Sequence, residues 1–315
     1  MSEPEAPPER AETVEEMVER ARGLEAESAE EAGRVYAKAL LADPSNLEAH
    51  NALERLGAVE RYGAWMLVNC VIDSRDDIFH FFVNEPLGKN PVREYLSDGW
   101  RTLSELLLLM DAVGKPLTTA RSVLEFAAGF GRFTRHLARA IPGRVTVSDI
   151  HPGSVEFQRE QFGVDGFYST HDPATLEIPE RYDLVFVLSM FTHLPPAMWG
   201  PWMRKLYCAV KPGGHLVFTV HNESLAAHFS QEYGPDGTLF MTSSESRELE
   251  GAQYGTTFAT RAWVEAEVQR ALGQPVALFR EAAFWHGQAA VVVRRPALTL
   301  DRWAGSIRKA LQNKH

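Results

Sequence analysis

Cysteine is nearly absent from this 315-residue chain: Cys70 and Cys208 are the only two, and they stand far apart. Such spacing gives neither a disulfide framework nor a zinc-type site, and it fits a reducing, cytoplasmic compartment. Long apolar runs are missing as well. The longest, ELLLLMDAV, falls well short of the about 20 residues that a membrane-spanning helix needs. No dense Lys/Arg stripe occurs, which argues against a protein that lives on nucleic-acid phosphates. The opening MSEPEAPPERAETVEE is acidic and carries prolines, so it does not read as a secretory signal or transit peptide.

What is present is ordinary for a globular protein, with 45% hydrophobic and 23% charged residues. The formal charge is −10, and residues 1–31, with eleven Glu and three Arg, hold −8 of it, leaving −2 for residues 32–315. The body is therefore close to neutral. The length suits one large domain, or one domain with an appendage. Composition separates four regions: a disordered acidic tail at 1–12, a helical hairpin at 13–57, a helical lead-in at 58–120, and an α/β domain at 121–315 with an insertion at about 222–260. In AGRVYAKALLADPSNLEAHNALERLG, apolar residues recur at helical spacing on either side of a break at Pro44. This resembles the second helix of a tetratricopeptide repeat running into the first helix of the next. About one and a half units fall short of the ~3 that a solenoid needs. The hairpin then either packs on its own domain or serves homo-oligomerisation or partner docking.

The stretch VLEFAAGFGRFTRHL carries the chemistry. A short strand ends in Glu125, a small-residue turn follows, and a helix begins. Gly129 and Gly131 let the backbone turn tightly and approach a ligand, and the helix N-terminus directs N–H groups at it. The next strand, RVTVSDI, ends in Asp149, placed to accept both hydroxyls of a ribose. A dinucleotide fingerprint would put a third glycine at Thr134, and a carboxylate at Glu125 suits an ammonium group better than a pyrophosphate. Ribose, ammonium and no phosphate describe S-adenosylmethionine. FYSTHDP puts Asp172 at the end of an expected third strand, and each acid also has a local alternative, Asp149 as a helix cap and Asp172 as a turn residue before Pro173.

Two later segments, YDLVFVLSMFTHLPP with a fourth strand and LYCAVKPGGHLVFTVH with a helix, a Pro-Gly-Gly turn and a fifth strand, complete an ordered set with VLEFAAGFGR and VSDI. Over about residues 121–221 the chain resembles the class I S-adenosylmethionine-dependent methyltransferases. That resemblance implies an α/β fold: a Rossmann-like, mostly parallel seven-stranded sheet with helices on both faces, here with an α-helical N-terminal extension. It implies that Glu125, Ala127 and the Gly129–Gly131 backbone hold the methionine part, Asp149 the ribose, Ile150 the adenine face and Asp172 the adenine amine, with Ser189 at the end of the fourth strand completing the set. Ala127 departs from the family's usual glycine, and the expectation is a negative φ there or a cofactor set slightly further away.

Methyl transfer requires alignment of a nucleophile and, for a hydroxyl or ammonium acceptor, removal of a proton. His221, His193 and His286, in that order, are the candidate catalytic residues, because each lies at or near a strand end on the expected ligand side. His193 in SMFTHLPP equally suits a turn cap, and His221 suits a polar strand end. Tyr254 and its neighbours form an expected lid. Asp172, His193 and His221 are weighed as cation ligands and set aside, leaving no metal site. The expected acceptor is a small or medium-sized molecule methylated on O or N, with a protein acceptor left open. Two other classes remain: a non-enzymatic binding protein with a degenerate cofactor fold, and a nucleotide-dependent oxidoreductase.

Overall fold

The computed structural model describes residues 12–58, 61–85, 89–141, 143–229, 232–243 and 254–297. The acidic tail up to residue 11, part of the 222–260 insertion and residues 298–315 lie outside the described residues. By compactness the chain divides into residues 1–96 and residues 97–315.

The first unit is helical. Thr13 and Glu16 form a reciprocal capping box that opens α1 (Val14–Leu24). Ser28 caps α2 (Ala29–Ala42) and Asn46 caps α3 (Leu47–Leu56), which closes on Gly57 in the left-handed region. Residues 13–57 thus hold three helices, packed through Val18, Val35, Tyr36 and Leu53 with small alanines between them. Two short helices follow, α4 (Tyr62–Met66) and α5 (Asp77–Val83), and then the long α6 (Pro91–Ala112), which belongs to the second unit from Ser97 on.

The second unit is a sheet with helices on both faces. In chain order it contains β1 (Ser122–Phe126), α7 (Thr134–Ala140), β2 (Arg144–Asp149), α8 (Ser154–Phe162), β3 (Asp165–Tyr168), β4 (Tyr182–Val187), α9 (Pro196–Cys208), β5 (Val210–Val220), α10 (Glu223–His228), β6 (Thr238–Met241), β7 (Thr256–Ala259), α11 (Arg261–Leu272), β8 (Leu278–Phe284) and β9 (Gln288–Arg294). Seven strands form one sheet in the order β3-β2-β1-β4-β5-β9-β8, with β9 running against its neighbours. This is the expected α/β architecture. Alternation along the strands divides the core. Leu124, Phe126, Val185 and Phe218 face Trp199, Trp202 and Val264 from α9 and α11, whereas Val123, Val145, Phe186 and Val217 face Leu106, Leu109 and Leu137 from α6 and α7. Among the described residues no helix is long and apolar enough to cross a membrane.

Three local expectations are corrected. The strand expected to end near Asp172 ends at Tyr168, because Asp172 Oδ1 accepts the Ala174 N–H at 2.8 Å in a turn that precludes pairing. The Pro-Gly-Gly run is a bulge inside β5 rather than a turn before it. Pairing with β4 jumps from Tyr182–Val210 to Leu184–His215, and a Cβ on Gly214 would come within 2.5 Å of the Asp183 carbonyl. The insertion also contains a two-stranded sheet, β6 with β7, that the polar composition concealed.

Candidate active site

The carboxyl ends of β1, β2, β4 and β5 lie along one edge, and the loops leaving them hold the residues singled out in the sequence. Glu125 pairs across to Val147 and Phe186, deep in the sheet, and is 3% exposed. Burial pushes its carboxyl up to about 8, opposed by a hydrogen bond with Thr134 and reinforced by the charge of Asp149. The turn that follows is left-handed at three places: Ala127 (φ 61°), Gly129 (φ 56°) and Gly131 (φ 81°). The expectation of a negative φ at Ala127 is therefore wrong. The alternating turn dictates the left-handed conformation, and alanine is held there at a cost of about 1 kcal/mol.

The two glycines answer different needs. A Cβ on Gly131 would lie 2.4 Å from the Phe162 ring and 3.0 Å from Gln158 Oε1, so this glycine serves packing. A Cβ on Gly129 would meet nothing within 4 Å. The open space in front of this left-handed glycine leaves a cradle in which a ligand can approach the backbone. Asp149 holds the cradle in shape: Oδ2 accepts the Gly129 N–H at 2.6 Å, and Oδ1 accepts the His151 backbone N–H at 2.9 Å and its Nδ1–H at 2.8 Å. Despite burial, the hydrogen bond and charge of His151 hold Asp149 below the usual carboxylate range. It does not cap a helix; Gly153 stands at the start of α8. Ile150 is half-buried at the bend beyond β2, and Asp172 is an exposed turn residue.

Around β4, β5 and β9 a second group assembles. Ser189 is left-handed (φ 66°) and donates its backbone N–H to Thr219 Oγ1 at 2.8 Å. Thr219 donates to Gln288 Oε1 at 2.6 Å, and Gln288 Nε2 reaches Ser189 Oγ at 2.8 Å and His221 Nε2 at 3.4 Å. Gln288 is there because antiparallel β9 starts where parallel β5 ends, with Ala289 opposite Val220. His193 is buried, its Nδ1 lies 2.7 Å from the Gly255 carbonyl, and its ring stacks on Tyr254 at 4.5 Å. A carbonyl only accepts, so Nδ1 carries the proton and Nε2 the lone pair in the neutral ring. His193 thus caps nothing ahead of α9, which begins with no side-chain cap. The His193 and His221 ring centroids are 6.4 Å apart.

Of the predicted residues, Glu125, Ala127, Gly129, Gly131 and Asp149 come together in one loop cluster, and Ser189 joins His221 through Gln288. The His286 backbone falls in the short turn Trp285–Gly287, and its side chain lies outside the described set. The set Asp172, His193 and His221 does not gather: no three His, Cys, Asp or Glu form a metal-type group among the described residues. Sequence reasoning missed Gln158, Thr219, Gln288 and Asn222. A polar residue opening the otherwise apolar QAAVVV run was the available signal for Gln288.

Residues 123–214 match a family described as a methyltransferase domain. The match runs from β1 into β5 and covers under a third of the chain. Its similarity to curated proteins is partial. It is 29% identical over 126 residues to a ubiquinone biosynthesis O-methyltransferase of Proteus mirabilis, covering 38% of this chain and 50% of that protein. It is 28% identical over 128 residues to a malonyl-[acyl-carrier protein] O-methyltransferase of Acetivibrio thermocellus, covering 39% and 44%. The methyltransferase domain therefore spans half or less of these curated relatives. A solved structure of magnesium protoporphyrin IX methyltransferase from Synechocystis, with bound S-adenosylhomocysteine, is 18% identical with a TM-score of 0.47 over 70% of this chain and 93% of that one.

Proposed function

We propose that this protein transfers a methyl group from S-adenosylmethionine to a hydroxyl or amine of a small or medium-sized acceptor. The observation that carries the reading is the open space before Gly129, whose N–H Asp149 holds, at the same sheet edge as the buried His193 and the half-buried His221. Bound there, S-adenosylmethionine supplies an electrophilic methyl group on a sulfonium. Glu125 binds the ammonium, the Gly129 backbone lies against the methionine part, Asp149 accepts from the ribose and Ile150 lies against the adenine, whereas Asp172, an exposed turn residue, is left out of the site. The polar frame of Ser189, Thr219 and Gln288 keeps the wall between cofactor and acceptor rigid.

His193 takes the acceptor's proton in this reading. Its Nδ1–H is fixed by the Gly255 carbonyl, which leaves Nε2 as the basic atom. His221 ranks second, because Gln288 Nε2 lies 3.4 Å from its Nε2, where it competes for the lone pair. Tyr254, stacked on His193, closes the acceptor side and excludes water. Calorimetry with S-adenosylhomocysteine and with NAD tests the reading. Binding of the first near the micromolar range, about −8 kcal/mol, and none of the second is expected; the reverse makes the protein an oxidoreductase, and neither makes it a binding protein.

A further inference from the structure

Asn222 follows His221 directly, at the point where β5 gives way to α10, and it has 0% exposure. Its side chain makes no capping bond to α10. Among the described residues neither Nδ2 nor Oδ1 has a hydrogen-bond partner, although both are buried. An amide buried with both ends unmatched loses its hydrogen bonds to water at both groups and regains none, so it destabilises the fold. Folding gains nothing from it, since leucine would fill a similar volume without that cost. A binding group accepts such a cost where its partner comes with the ligand.

The surroundings limit that partner. Leu225 and Ala226 of α10 pack on Phe258, with Tyr233, Leu239 and Met241 beside them, and the Phe258 ring lies 5.0 Å from that of His221. The Tyr233 hydroxyl is also buried without a partner among the described residues, and burial pushes it up to about 12, so it is a neutral donor. A carboxylate would accept from Nδ2 and leave Oδ1 unmatched, and a ketone would do the same. A group that both accepts and donates side by side satisfies both atoms.

We propose that Asn222 is a specificity-determining residue that pairs with an amide, lactam or imide edge of the methyl acceptor, whose apolar body lies against Phe258 and Leu225. The proposal rests on this end of the sheet being the acceptor side, as argued above. Its test separates the two. Thermal melting of the full chain, saturated with S-adenosylhomocysteine, is followed with added benzamide and with acetophenone, which has the same carbonyl but no N–H. Benzamide is expected to raise the melting temperature of the wild type well above the effect of acetophenone. The N222L variant is expected to melt about 2–4 °C higher than wild type without ligand, as about 1 kcal/mol of relief gives for a domain of this size, and to lose the benzamide shift. Equal responses of the wild type to the two probes overturn the proposal. So does an N222L variant that melts lower and still prefers benzamide, which makes Asn222 a structural amide. If N222L does not fold, N222A decides: it removes both polar atoms, so a retained preference for benzamide overturns the proposal and a lost one supports it. Failure to bind S-adenosylhomocysteine, with the benzamide preference intact, overturns the methyltransferase reading alone.

Discussion

Thr134 Oγ1 stands 2.7 Å from Glu125 Oε2 and 2.6 Å from Gln158 Oε1, and one hydroxyl has one proton for two oxygens. The Gln158 amide cannot turn to help, because its Nε2 donates to the Gly129 carbonyl at 2.9 Å. If the Thr134 proton goes to Gln158, the contact with Glu125 is favourable only when Glu125 is itself protonated and donates to Thr134. The geometry and the burial-raised carboxyl agree.

From this follows a pH dependence. An acid whose folded value of about 8 exceeds its ordinary value of 4.5 contributes stability in full below the unfolded value. That contribution is lost as pH rises toward the folded value. The cofactor-free protein is expected to lose on the order of 3–5 kcal/mol between about pH 4.5 and 8 from this group. Asp149 acts oppositely, its depressed value making it destabilising only in acid, below the usual carboxylate range. The variant E125Q, whose amide donates to Thr134 at every pH, should flatten the loss. Denaturant melts at pH 5, 6.5 and 8 check this, and parallel curves for the two proteins would refute it.

Cofactor binding reverses that preference, because an ammonium beside Glu125 favours the carboxylate. Binding of S-adenosylhomocysteine near pH 7 is expected to release about one proton from wild type and none from E125Q. Calorimetry in buffers of different ionisation enthalpy reads this directly. Proton uptake, or no exchange, would remove Glu125 from the ammonium site.

The sheet and the cradle were legible because each depends on local patterns: apolar strands bounded by glycine turns, and acids at strand ends. The rest was not, because it depends on pairing across long separations. Gln288 reaches Ser189 and His221 only through the antiparallel insertion of β9, and Gly255 meets His193 across 62 positions. Asp172 misled for a local reason. Asp before Pro suits a strand end and a turn alike, and the turn prevailed through the Ala174 N–H. Glycine also hides its purpose in sequence, since Gly129 and Gly131 look alike and face open space and Phe162 respectively.

That difference is testable. G129A should keep most of its thermal stability, losing about 1–2 kcal/mol to the left-handed backbone, yet lose at least tenfold in affinity for S-adenosylhomocysteine. G131A should instead lose stability outright, since its Cβ collides with Phe162 and Gln158. If both variants melt alike and bind alike, the cradle is misplaced.

Ala127 offers a gain. Its φ of 61° disfavours any residue with a Cβ, and A127G removes that penalty while adding freedom to the unfolded chain. The net expectation is about 1 kcal/mol of added stability, read as a rise of about 2–4 °C in melting temperature. A fall would mean that the Ala127 methyl contributes more through packing than the turn costs.

The last expectation concerns His193. Hydrogen bonding from Nδ1 to the Gly255 carbonyl at 2.7 Å demands that the neutral ring carry its proton there. Imidazole nitrogen-15 shifts of the full chain should then report an Nδ1–H tautomer, a measurement that needs no acceptor. If the acceptor is a hydroxyl, H193A should lower turnover by about 10²–10⁴-fold with the affinity for S-adenosylhomocysteine nearly unchanged. H221A should be milder, because Gln288 already competes for its Nε2. A neutral amine acceptor changes the outcome, since it needs no base before transfer and alignment then dominates the rate. Turnover separates the two cases: H193A should be severely impaired with a hydroxyl acceptor and only mildly with an amine. An Nε2–H tautomer at His193 would pass the role of base to His221.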